Sequence, residues 1–188
     1  MTALPRVKPS RTVLVVVDIQ ERLAVAMPPE QLAAVERATR ILLGAATELG
    51  APVLATEQYP KGLGPTVPAL RALLEPSGAR PIEKLAFSAC GEPRFASALD
   101  ELTVEAAVVV GMETHVCVFQ TVRDLVARGL EVSVPLDGVA SRRDDHRTAG
   151  LRLCEKAGAT VTTAETLLFD WLGQAGTDAF KKLSKLVR

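Results

Sequence analysis

The strongest constraint on the fold is residues 104 to 112, a nearly continuous apolar run rich in β-branched side chains, broken early by Glu105 and closing on Gly111-Met112. A strand apolar at consecutive positions is covered on both faces, as an inner strand of a parallel sheet is. Glu113-Thr114-His115-Val116-Cys117 follows at once, and then Val118, Val122, Leu125 and Val126 recur at helical spacing, with Arg123 and Asp124 on the other side. Thr114 is placed to cap that helix. Cys117 is therefore expected in or near a first helical turn at the carboxyl end of a strand, where ligands bind in open α/β sheets. The positive end of the helix dipole favours a thiolate there. A free cysteine is otherwise a small buried hydrophobe, and position alone leaves both readings open.

The rest of the chain alternates strands with helices. Thr12 to Val17 is an unbroken apolar strand ending at Asp18. Pro28 and Pro29 precede a helix from about Glu30 to Leu49, buried through Leu32, Val35, Ala38, Ile41, Leu42 and Ala45 and stopped by Gly50. Residues 52–56 are the next strand, and the Gly/Pro-rich stretch 57–65 is long enough to lie across a site. A short helix at 68–74 leads to a weak strand at 80–84, a loop at 87–91 and a helix over 93–102. Beyond the central unit come a strand at 130–135, a turn at 137–141, a helix from Ser141, which has capping-box spacing with Asp144, to about Ala157, and a strand at 159–163. Six strands alternating with helices predict an α/β, three-layer fold with a mostly parallel sheet, in a single domain spanning residues 1–188.

Composition narrows the function classes. Apolar residues make up 48% of the chain and aromatics 4%, an aliphatic core large enough to fold alone. Twenty-two basic residues balance twenty-two acidic ones, which leaves no electrostatic footprint for nucleic acid or an anionic membrane. Three cysteines at wide spacing argue against a disulfide framework and for a reducing compartment. The segment Met1 to Arg11 carries no apolar core of signal-peptide length, and no stretch approaches membrane-spanning length. A cytoplasmic protein is the expectation.

Asp18, Lys84 and Cys117 each fall at the carboxyl end of an expected strand, and in a parallel sheet those ends share one rim. A carboxylate, an ammonium and a thiol meeting there make a coherent device: the ammonium steadies the carboxylate and lowers the thiol pKa, and the carboxylate takes the thiol proton and returns it to a leaving group. An ion pair tying two strand ends together is the other reading of Asp18 and Lys84.

Val17-Asp18-Ile19-Gln20, Lys84 with Phe87-Ser88, and Gly111-Met112-Glu113-Thr114-His115-Val116-Cys117 together resemble the isochorismatase-like cysteine hydrolase superfamily, which includes nicotinamidases and N-carbamoylsarcosine amidohydrolases. The stretch Thr56 to Thr66 is most similar to its uncharacterised isochorismatase-domain branch. The resemblance spans roughly Thr12 to Thr163. It implies Cys117 as nucleophile, Lys84 as catalytic lysine, Asp18 as general base, a cis peptide at Met112-Glu113, and an oxyanion hole from the N–H groups of Glu113 and Cys117. It also implies a homo-oligomer.

The departures matter equally. Nicotinamidases hold a metal through an aspartate and histidines after the second strand, where this chain has Glu57-Gln58-Tyr59. Its two histidines are His115, inside the central turn, and His146, expected in a solvated capping role; no metal and no other cofactor is expected. Family members that cleave the isochorismate vinyl ether typically lack the cysteine, so Cys117 favours an amide or related C–N bond of a small molecule, cleaved through a thioester. An oligomeric binding protein that keeps the fold without turnover is the alternative. Gln20, Tyr59, Phe87 and His115 are the expected substrate-binding residues, although Tyr59 and Phe87 would equally pack loops or a subunit interface. Cys90 reads as an incidental loop thiol and Cys154 as core; Trp171 and Phe169, with Leu167, Leu168 and Leu172, form a cluster suited to cover a core edge or a neighbouring subunit, the latter preferred because the resemblance implies an oligomer. Three other classes fail on single residues. A haloacid-dehalogenase-type phosphatase needs a second aspartate where Gln20 stands, a phospho-receiver needs one where the third strand ends in Lys84, and a dinucleotide-binding turn needs glycines that Asp18 to Arg22 lacks.

Overall fold

The computed structural model describes residues 8–188; most of the segment read as lacking a signal-type core, residues 1–7, lies outside the described residues. The strands are β1 (Thr12–Val17), β2 (Val53–Gln58), β3 (Ile82–Lys84), β4 (Ala106–Met112), β5 (Glu131–Pro135), β6 (Val139–Ala140) and β7 (Thr160–Thr162). They form one sheet in the order β3-β2-β1-β4-β5-β7, with β6 also pairing β4, and all these pairings are parallel. The expected six strands are present, and β6 is a seventh, in the stretch read as a turn. Its origin is local. Pro135 has no N–H with which to continue a ladder, the chain makes a tight turn over Leu136–Gly138, and it re-enters beside the end of β4, with Val139 against Gly111 and Ala140 against Met112.

Helices cover both faces because the inner strands are apolar on both, and two single-turn helices, α1 (Glu21–Ala24) and α3 (Pro60–Leu63), follow β1 and β2. Leu14 and Val16 of β1 and Val108, Val110 and Met112 of β4 face one layer, built from α2 (Pro29–Leu49), α4 (Pro68–Leu74), α8 (Ala164–Leu172) and α9 (Asp178–Leu183). Val13, Val15, Val17, Ala107 and Val109 face the other, built from α5 (Pro93–Asp100), α6 (Phe119–Ala127) and α7 (Asp144–Lys156). Gly50 ends α2 with φ 74°, a left-handed cap that costs glycine nothing. Trp171 is buried in the first layer of its own chain, with Leu167 and Leu168, so of the two roles open to this cluster these three residues fill the core, not the preferred subunit contact. Phe169, partly exposed, has its ring 6.3 Å from that of Phe180 on α9. Cys154 is fully buried in the second layer.

One glycine decides how closely the two central strands meet at the rim. Gly111 lies opposite Val17 in the β1–β4 register and has φ +134°. A Cβ there would fall on the Val17 carbonyl, 2.7 Å from its carbon and 2.9 Å from Val17 Cα. Since that obstacle is backbone, nothing can move aside cheaply. Gly111→Ala is expected to cost about 3 kcal/mol or more in urea unfolding. Gly129→Ala, at φ +86° in open space, should cost about 1 kcal/mol. Equal losses would show that the close approach of β1 and β4 is unimportant.

Candidate active site

The carboxyl ends of β1, β2, β3 and β4 converge. Asp18 leaves β1 with φ 52°, a left-handed conformation that aspartate tolerates better than most residues. Both it and Lys84, the last residue of β3, have fully buried side chains. Lys84 Nζ lies 2.7 Å from Asp18 Oδ2, and the other carboxylate oxygen accepts from Thr56 Oγ1 at 2.7 Å. The ammonium also donates to Gln58 Oε1 at 2.7 Å and to the carbonyls of Phe87 at 3.0 Å and Ala86 at 3.3 Å. A buried ammonium is tolerable only when its donors are satisfied in this way.

Cys117, also buried, closes the cluster: its thiol feels the charges of both Asp18 and Lys84. The local backbone departs from expectation. Instead of an α-helix capped by Thr114, the chain makes a π-helical turn over Thr114–Val118 before α6, with the Glu113 carbonyl accepting from Val116 N at 3.0 Å and Val118 N at 3.2 Å. Thr114 makes no side-chain cap. The Met112-Glu113 peptide bond is cis. Helix α7 presses on the outside of the turn, because Gly150 offers no Cβ where one would stand 2.7 Å from His115 N.

Electrostatics corrects the expected thiolate. Burial, and then the charge of Asp18, push the Cys117 thiol up to about 12, against the lowering influence of Lys84. Burial also raises Asp18, opposed chiefly by Lys84 and then by Thr56. At rest Cys117 is therefore a thiol. Burial pushes Cys154 up to about 12 and the half-buried Cys90 up to about 11.

The expected substrate contacts separate into three groups. Gln20 is fully buried and spends its amide on structure: Nε2 donates to the carbonyls of Gly64 at 2.6 Å and Gln58 at 3.0 Å, while Oε1 accepts from Gln58 N at 2.7 Å. That corrects its reading as a substrate contact; it fastens the β2–α4 connection to the end of β1. Tyr59 and Phe87 are about half exposed (52% and 53%), and Phe87 is tied to the cluster through its carbonyl. His115 Nδ1 lies 3.1 Å from Ser141 Oγ, and its ring centroid is 4.5 Å from that of His146. Burial chiefly, with Glu113 opposing and His146 and Arg142 assisting, lowers the His115 pKa. His146 is thus half-buried against the turn rather than a solvated cap. Ser141, expected to cap α7, faces His115 instead, and α7 starts without a side-chain cap.

Thr56 and Gln58 escaped the sequence reading. Their signal was the register, which sets Val17 beside Thr56 and Gln58 beside Lys84. The residues standing where nicotinamidases carry metal ligands are committed elsewhere. Glu57 Oε1 accepts from Thr66 N at 2.6 Å and Oγ1 at 2.7 Å, and Gln58 serves Lys84. Among the described residues, no group of three or more His, Cys, Asp or Glu could hold a metal ion.

The isochorismatase domain model matches residues 12–166. Isochorismatase domain-containing protein 2 of Bos taurus is 37% identical over 187 residues, covering 99% of this chain and 87% of the relative. The structure of MAR1 ribonuclease from Caenorhabditis elegans superposes with TM-score 0.90 at 37% identity, covering 97% of this chain and 92% of that one. The YcaC gene product of Escherichia coli, described as an octameric hydrolase of unknown specificity, superposes with TM-score 0.88 over 99% of this chain and 92% of its own. At 19% identity that last likeness concerns the fold. On the family model and the cattle relative, the chain belongs to the isochorismatase-like hydrolase family.

Proposed function

We propose that the chain is a cysteine hydrolase that opens a small-molecule amide or related C–N bond through a thioester at Cys117, with no metal taking part. The observation that carries this reading is the buried Asp18–Lys84 pair at 2.7 Å, with the buried Cys117 thiol near enough for both charges to act on it. Sγ attacks the carbonyl carbon as its proton passes to Asp18, and the oxygen takes up the negative charge against the N–H groups of Glu113 and Cys117. Collapse breaks the C–N bond while Asp18 returns the proton to the departing nitrogen. Water then attacks the thioester, giving a proton to Asp18; the C–S bond breaks, the carboxylic acid leaves and the thiol regains its proton. Tyr59 and Phe87 rim the entrance and His115 borders it, so the substrate meets a partly apolar mouth. On this reading the whole chain is one hydrolase domain working as a homo-oligomer in the cytoplasm, where its free cysteines stay reduced.

The name of the C. elegans relative raises RNA as a substrate. A polyanion needs an exposed cationic surface, and a formal net charge of +0 supplies no general one. Incubation of RNA with wild type and Cys117→Ser should leave it equally intact.

The two charged partners should act on Cys117 in opposite directions. Asp18 raises the thiol pKa and Lys84 lowers it. Asp18→Asn should therefore let the thiol ionise below its wild-type value of about 12 and speed alkylation by iodoacetamide at neutral pH. The same variant lacks the base that activates water, so after p-nitrophenyl acetate it should accumulate acetyl-enzyme, with deacylation slowed about 100-fold. Lys84→Ala should slow alkylation, and Cys117→Ser should take no label. Peptide mass spectrometry reads all of these. Acetyl groups found elsewhere than Cys117, or slower alkylation in Asp18→Asn, would sink the reading.

A further inference from the structure

The turn that carries Cys117 is gripped from outside by residues 141 and 142, in the connection between β6 and α7. Arg142 donates to Glu113 Oε1 twice, from its backbone N at 3.2 Å and from Nε at 3.0 Å. The Glu113 side chain is 9% exposed and that of Arg142 58%, so a mostly buried carboxylate is held by a guanidinium whose far end reaches solvent. One residue earlier, Ser141 meets His115 through its hydroxyl, and its own N–H donates to Gln31 Oε1 on α2 at 3.1 Å. The connection is thus anchored to a long helix on one side and to the turn at residues 113 and 115 on the other. Glu113 is in turn fixed at three points: the peptide from Met112, a carbonyl bonded to Val116 and Val118, and a side chain bonded to Arg142.

We propose that Arg142 is a positioning residue, which through the Glu113 carboxylate sets the direction of the Glu113 N–H toward the oxygen of the bond under attack. The proposal deepens the hydrolase reading and rests on it. Oxyanion donors act only when aimed at where charge develops, and a displacement of about 1 Å is enough to lose about 100-fold in rate. A Glu113 side chain held from the β6–α7 connection resists rotation of its own backbone, which the turn's internal hydrogen bonds alone leave hinged at one end. Losing the Arg142 side chain would leave a mostly buried carboxylate with the backbone N–H of residue 142 alone and no neutralising charge, so that it would turn outward toward water and carry its backbone with it.

Two reagents separate positioning from general support. Iodoacetamide alkylates Sγ by displacing iodide, with no oxyanion formed. p-Nitrophenyl acetate acylates it: the S–C bond forms, the carbonyl oxygen becomes an oxyanion, the C–O bond to nitrophenolate breaks and the thiol proton passes to Asp18. The ester is neutral, so a role for Arg142 in binding an anionic substrate group would not register with it. Arg142→Ala should lower acylation about tenfold or more and leave alkylation within about twofold, while Arg142→Lys recovers part of the loss. Glu113→Gln, which keeps the acceptor oxygen and loses the charge, should fall between Arg142→Ala and wild type. Acylation of Arg142→Ala at the wild-type rate overturns the proposal and leaves the hydrolase reading standing. Equal loss with both reagents also overturns it, since Arg142 would then support the site as a whole. A wild type that ester never acylates removes the hydrolase reading, and this proposal with it.

Discussion

The buried pair between Asp18 and Lys84 organises the rim on which everything else sits. At 2.7 Å and an effective dielectric near 20, the two charges attract by about 6 kcal/mol. Removing each ion from water costs several kcal/mol, so attraction and desolvation come close to cancelling. What remains is supplied by hydrogen bonds: Thr56 on the carboxylate, and Gln58 with the Ala86 and Phe87 carbonyls on the ammonium. A core of apolar residues would serve stability equally well at less cost in design. The pair is better understood as a charge held ready beside a thiol than as a brace.

Geometry delivers that readiness from two halves. β1, β2 and β3 supply the charged groups and their hydrogen bonds; β4 and β6 supply the turn that carries Cys117 and the connection that grips it. The seam between the halves is the β1–β4 ladder, and Gly111 keeps that ladder tight at its last step, against Val17, one residue before Asp18. Gly150 does the same from the helical layer, letting α7 rest directly on the turn backbone. At both points it is the missing Cβ, rather than any side chain, that sets the distance.

Much of this was legible in the sequence because it depends on patterns of period and polarity. The apolar runs ending at Asp18 and Met112 named the central strands, and three reactive side chains at strand ends named the rim. Whatever depended on register or on competition between polar partners was not legible. Thr56 and Gln58 look ordinary until β2 is aligned with β1 and β3. Gln20 reads as a loop residue free to meet a ligand, yet backbone groups of the neighbouring connection take both ends of its amide. Ser141 and Thr114 carry the local signature of helix caps, but His115 engages Ser141, and a π-helical turn replaces the α-turn that Thr114 would have capped. The apolar cluster around Trp171 suited a core edge and a subunit contact alike, and only the packing of α8 against α2 puts it in the core.

A raised thiol pKa at Cys117 does not count against its proposed role as a nucleophile. Lys84 favours the thiolate, but burial and Asp18 outweigh it. Burial raises Asp18 as well, so the same dry surroundings that disfavour a thiolate disfavour a carboxylate. When the proton moves from Sγ to Asp18, one negative charge leaves one buried atom and appears on another, with Lys84 beside both. The net charge of the cluster is unchanged, and no ion has to be brought in from water or expelled to it. Desolvation therefore largely drops out of the transfer, although it dominates the ionisation of either group alone. In the proposed reaction the attacking thiolate passes its charge on to the carbonyl oxygen. The N–H groups proposed to meet it there need only be aimed, because the charge was already inside the site.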